Sequence, residues 1–145
     1  MPNGTINQHY IEGHSYFSHI KNNLIYLYNS KGKCLKNYPK NLEDFLEVPP
    51  FTFENKITII YQNRQIEQFS IDGKQKKTKL KISGTPLVIK HNNKSVALAE
   101  ISTNAVKLYD GDFNLAYALS IHKSQGCQYD NVILWYFIHL IHLHR

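Results

Sequence analysis

The feature that most constrains this 145-residue chain is the spacing of turn residues after Phe51. The runs "KITIIYQ", "QIEQFSID", "KTKLKIS" and "TPLVIKH" are short and β-prone, and they are separated by Asn63-Arg64, by Asp72-Gly73-Lys74 and by Ser83-Gly84. Parallel strands need long crossovers, and these connections are far too short for one. Neighbouring strands must therefore fold back antiparallel, as a meander or a small barrel. A further turn is expected at Asp110-Gly111-Asp112. No internal repeat stands out, and no segment is of low complexity.

The first fifty residues carry less information. "NNLIYLYNSKGKCLKNYPK" reads as a hairpin turning at Asn29-Ser30-Lys31-Gly32, since an apolar β-prone run is followed by turn residues and a more polar return. "NLEDFLEV" is expected to form a short helix capped by Asn41, with Glu43 and Asp44 in its first turn, where the helix dipole favours them. Pro49 and Pro50 end it and mark an internal boundary.

Ten Tyr and seven Phe in a chain that is 42% hydrophobic and 19% charged point to a folded, strand-rich protein. The net charge of +6 favours a polyanionic partner such as nucleic acid. Cys34 and Cys127 lie far apart with no ligand pair near either, so neither a disulfide framework nor a zinc site is indicated. The start "MPNGTINQHY" shows no secretory signal, and the longest apolar run, Val132 to Leu143, falls short of the ~20 residues a membrane helix needs. An intracellular protein, cytoplasmic or nuclear, not secreted and without a membrane partner, is the expectation.

One polar island stands out. Ser120 lies near the end of the apolar run "LAYALSI", and His122, Lys123, Ser124, Gln125 and Gly126 fall between it and "DNVILWYF". Lys supplies a point charge, hydroxyls and an imidazole supply directional hydrogen bonds, and Gly admits close approach to the backbone, a donor set suited to phosphate. The continuous apolar run "DNVILWYF" suggests a strand covered on both faces, as in an α/β layer.

The order of residues in "YALSIHKSQGCQYDNVIL" resembles motif V of superfamily 1 DNA helicases of the RecD, Dda and TraA type. A looser likeness to the small barrel-like insertion of their second RecA-like domain covers Gly84, Pro86, Asn92, Asn93, Gly111 and Asp112. The resemblance implies an α/β fold, mixed and β-rich: a partial RecA-like domain of the P-loop NTPase type with a small antiparallel β-barrel-like insertion. It divides the chain into an unassigned region 1–50, the barrel-like insertion 51–112, a RecA-like strand-turn-strand 113–138 and a tail 139–145. Ser120, His122, Lys123 and Ser124 would contact single-stranded DNA, and Gln125, Gly126 and Gln128 would contact nucleotide.

Several required parts are missing. No Walker A loop, Walker B carboxylate or arginine finger accompanies the motif, so ATP and Mg²⁺ belong to a complete helicase and this chain alone is expected to be inactive. A first RecA-like domain would be supplied by the parent chain or a split partner. His139, His142 and His144 lack the carboxylate or Cys that a metal site would add. The alternative reading is a stand-alone basic β-barrel-like nucleic-acid-binding module, with Lys74, Lys76, Lys77, Lys79 and Lys81 following a phosphate backbone.

Overall fold

The structure, a computed structural model, describes residues 5–92 and 94–120. These form twelve β-strands and, among the described residues, no helix. The strands make three four-stranded sheets, each a plain antiparallel meander in chain order. The first contains β1 (Ile6–Ile11), β2 (His14–Lys21), β3 (Leu24–Asn29) and β4 (Lys40–Asn41). The second contains β5 (Phe51–Phe53), β6 (Lys56–Ile60), β7 (Gln65–Phe69) and β8 (Gln75–Lys81). The third contains β9 (Thr85–His91), β10 (Lys94–Ile101), β11 (Ala105–Tyr109) and β12 (Leu115–Ser120). The chain divides into two compact units, Met1–Ile82 with the first two sheets and Ser83–Arg145 with the third.

The turns explain the tight meanders. Glu12 and Gly13, Asn22 and Asn23, and Glu54 and Asn55 all have positive φ. Consecutive left-handed residues make the type I′ turn, whose twist matches that of the flanking strands. A second kind of loop closes each sheet after its third strand. Gly32, Gly73 and Phe113 take the left-handed position, and their amides donate to the carbonyls of Asn29, Ser70 and Asp110 at 2.9, 3.0 and 2.9 Å. Side chains brace these loops: Asn29 Oδ1 accepts from the amides of Lys31 and Lys33, and Asp110 Oδ1 from those of Asp112 and Asn114, all at 3.0 Å.

The start points of this loop, Asn29, Ser70 and Asp110, recur about every 40 residues, the period of a four-stranded propeller blade. A repeat is thus present where the sequence showed none. It is carried by backbone geometry, and because the left-handed position holds Gly twice and Phe once, no residue pattern reports it.

The α/β expectation is overturned. No RecA-like layer exists among the described residues, and residues 115–120, assigned to a RecA-like strand, instead pair antiparallel with β11, Ala105 opposite Ser120 and Val106 opposite Leu119. The helix expected over "NLEDFLEV" is likewise absent. Leu42 and Leu46 are both buried at helical spacing, but the segment's amides find partners in the β2–β3 turn and in β6. Leu42 N donates to Asn23 O at 2.9 Å and Glu47 N to Ile60 O at 2.8 Å, so a non-helical path satisfies these amides.

The core of the first unit lies between its two sheets. Ile11, Ile20, Ile25 and Leu27 of the first sheet meet Ile57, Ile59, Tyr61 and Phe69 of the second, with Leu42 and Leu46 from the connection between them. Each fully buried aliphatic or aromatic side chain of this kind contributes about 1.5–3 kcal/mol. In the third sheet Ala97, Leu98, Ala99, Val106 and Leu108 are buried. There Glu100 is buried too, and its Oε2 accepts from the amides of Ser83 at 2.7 Å and Gly84 at 3.4 Å, fixing the path into β9.

Candidate interaction site

The connection between β4 and β5 carries an exposed aromatic on a braced backbone. Phe45 is 63% exposed, yet the residues around it are tied to the β6–β7 hairpin. Asp44 Oδ2 accepts from Asn63 N at 3.0 Å, Asp44 Oδ1 accepts from Phe45 N at 2.8 Å, and Gln62 N donates to Phe45 O at 2.8 Å. Leu46 forms a β-bridge with Tyr61 and is buried beneath. Charged pairs flank the knuckle: Arg64 with Glu47 at 3.8 Å and Lys77 with Glu43 at 2.5 Å. The Glu43 hydrogen bond raises the Lys77 ammonium above its ordinary pKa. An aromatic held out on a fixed backbone and flanked by charge is the pattern of an interface anchor, because little side-chain or loop entropy remains to be lost on binding.

The buried polar groups of this unit, by contrast, serve the fold. His9 is 2% exposed and joins the two sheets, with Nδ1 at 2.9 Å from Thr52 Oγ1 and Nε2 at 2.7 Å from Ser18 Oγ. Both ring nitrogens are occupied by hydroxyls that can donate or accept. Tyr61 OH donates to the buried Glu67 Oε1 at 2.6 Å, and Gln75 Nε2 donates to Glu67 Oε2 at 3.3 Å. Tyr38 OH donates to Ser70 O at 2.6 Å.

Burial, and for Tyr61 also the hydrogen bond to Glu67, pushes the Tyr38 and Tyr61 phenols well above the ordinary tyrosine value. Their stabilisation is therefore fully present below the unfolded-state pKa of about 10 and is lost as pH rises beyond it, because only the unfolded chain ionises there. In a spectrophotometric titration these two phenols should ionise only together with unfolding. Their ionisation in a chain that remains folded would contradict the arrangement.

Of the residues that the resemblance assigned to DNA or nucleotide contact, only Ser120 belongs to the described part. It is exposed at the end of β12, opposite Ala105. His122, Lys123, Ser124, Gln125, Gly126 and Gln128 lie outside the described residues, as do His139, His142 and His144. The basic run lies on β8, where Lys77 sits opposite Glu67 in register and binds Glu43, and Lys74 pairs with Asp72 at 3.8 Å. Among the described residues no group of His, Cys, Asp and Glu could hold a metal ion. Nor is any helix among them long and apolar enough to cross a membrane. Sequence reasoning passed over Phe45 by placing it in a helix; the one available signal was a large apolar residue directly after two acidic ones.

The class that this fold defines is a series of propeller-type blades. Among solved structures the chain is similar to BBS1N in complex with ARL6DN. In the mercury-soaked crystal the TM-score is 0.55 at 12% identity, covering 82% of this chain and 40% of that one. In the lead-soaked crystal it is 0.57 at 12% identity, covering 83% and 37%. The chain thus spans about two-fifths of the length of those chains, and at this identity the likeness shows the fold alone. No protein-family model matches the chain, and no curated protein does.

These findings overturn the helicase reading, and with it the ATP-binding and hydrolase roles. The stand-alone nucleic-acid-binding module has no support either. A short order of residues such as "HKSQG" matched a motif whose α/β framework is not what the described residues build.

Proposed function

We propose that the chain is a non-catalytic protein-binding scaffold whose blades present Phe45 to a folded protein partner. The observation that carries the reading is the combination of 63% exposure at Phe45 with a backbone pinned on both sides by Asp44 and Gln62. Support comes from the structural neighbours, which were solved in complex with a protein, ARL6DN.

ARL6DN is accordingly the first probe. Isothermal titration with this chain should give saturable binding, and Phe45→Ala should weaken it by roughly tenfold or more, the scale of an interface anchor of about 1.4 kcal/mol or above. The thermal midpoint should hardly change, because the side chain contributes little to the core. Absence of binding at ~100 μM, a concentration that still detects weak association, would exclude this partner. Binding that Phe45→Ala leaves unchanged would remove the site.

A further inference from the structure

The second sheet ends in a strand with an open edge and an unbalanced charge. β8 is hydrogen-bonded to β7 on one side only. Its sequence, Gln75-Lys76-Lys77-Thr78-Lys79-Leu80-Lys81, is exposed at every lysine. Lys77 pairs with Glu43 at 2.5 Å. Lys76, Lys79 and Lys81 form no ion pair among the described residues, so three positive charges stand unanswered along one short edge.

The register fixes which backbone groups point outward. Ser70 N donates to Lys74 O at 3.0 Å, and Gln68 stands opposite Lys76. Antiparallel ladders bond at alternate pairs, so the amide of Lys76 turns toward β7 while those of Gln75 and Lys77 turn away from it. Thr78 O accepts from Gln65 Nε2 at 2.9 Å and so faces β7 as well. The outer edge is thus a row of donors and acceptors to which a further strand can add. Side chains alternate too: Lys76 shares a face with Gln68, whereas Lys77 and Lys81 share the other with Glu67 and Gln65.

Charge argues for the occupant. Lysines on an edge repel a second strand of the same kind, a common means of keeping identical edges apart. The same charge selects a strand of opposite sign. Because lysines stand on both faces of β8, the carboxylates of an added strand, which also alternate between faces, meet them on both. A nucleic-acid backbone running along one face would leave the other unanswered. We infer that β8 accepts an extended, acidic segment of a partner protein as a fifth strand of the second sheet, with Lys76, Lys79 and Lys81 answering its carboxylates. This site is independent of the contact at Phe45.

Fluorescence anisotropy of a labelled hexaglutamate peptide, titrated with the full chain, tests it. Saturable binding is expected below about 1 mM, the range of a weak peptide contact, and it should weaken as salt is added. Lys76→Glu, Lys79→Glu and Lys81→Glu combined should lower the affinity roughly tenfold or more without altering the far-ultraviolet circular dichroism, since all three side chains are exposed. Hexaglutamate N-methylated throughout keeps its charge but has no amides to pair, so it too should bind roughly tenfold more weakly. The unmodified peptide should slow hydrogen exchange at the Gln75 and Lys77 amides, and Phe45→Ala should bind it like the wild type. No binding at about 1 mM, or an affinity that the lysine variant leaves unchanged, would overturn the inference. So would equal binding of the N-methylated peptide, unslowed exchange at Gln75 and Lys77, or loss of binding in Phe45→Ala. Tighter binding of a single-stranded oligonucleotide of equal charge would overturn it in favour of nucleic acid.

Discussion

Phe69→Ala is expected to cost the first unit about 3–5 kcal/mol, enough to unfold much of a domain whose whole stability lies in the range of about 5–15 kcal/mol. The ring is fully buried and stands opposite Ile57 on one side and Gln75 on the other, in the layer where the second sheet meets Ile11, Ile20, Ile25 and Leu27 of the first. Nothing on a β-sheet can slide in to refill the space, since the neighbours are held in register by the ladder. In urea, with a slope of about 2 kcal/mol/M for a unit this size, the unfolding midpoint should fall by about 2 M. A shift below about 0.5 M would mean that the two sheets do not share this core.

The second large effect is expected at Gly73. Its φ is +93°, and an added Cβ would lie 2.7 Å from Asn37 Cβ, with Lys40 Nζ at 3.4 Å. Asn37 is itself left-handed, at φ 73°, and its Nδ2 donates to Asp72 O at 2.9 Å, so it cannot give way without losing that bond. Gly73→Ala should cost about 2–3 kcal/mol, adding a displaced hydrogen bond of about 1 kcal/mol to left-handed strain of about 1–2 kcal/mol. Gly13 provides the comparison: its φ is +82° but a Cβ there meets nothing within 4 Å, so Gly13→Ala should carry the strain alone. Equal losses at the two positions would show that the Asn37 contact is not as described.

The same loop has an electrostatic signature. Ser70 Oγ donates to Asp72 Oδ1, and Lys74 N reaches the same oxygen at 3.1 Å. These bonds, the Ser70 hydroxyl first, hold the Asp72 carboxyl below the ordinary aspartate range.

The antiparallel connections from Phe51 to Ser83 were legible because short turns leave no room for crossovers, and Asp72-Gly73-Lys74 does close a hairpin. Leu42 and Leu46 misled because a spacing of four residues suits a helix face, whereas here both side chains are buried from a bent, non-helical connection. The repeat was hidden for a different reason. Its closing loop needs one residue in left-handed geometry and a polar side chain to brace the amides, and this sequence meets those needs with Asn29 and Gly32, then Asp72 and Gly73, then Asp110 and Phe113. The Phe45 site was illegible because its anchor is defined by hydrogen bonds to the β6–β7 hairpin, which sequence proximity does not reveal.

The repeated four-stranded antiparallel blade is measured most directly by cross-strand nuclear Overhauser effects. Contacts between the backbones of Phe17 and Tyr28, Thr58 and Gln68, and Ala99 and Leu108 should all be observed, matching the registers of the three sheets. Helical contacts between residues three apart over 41–48, or the absence of the Ala99–Leu108 pairing, would contradict it.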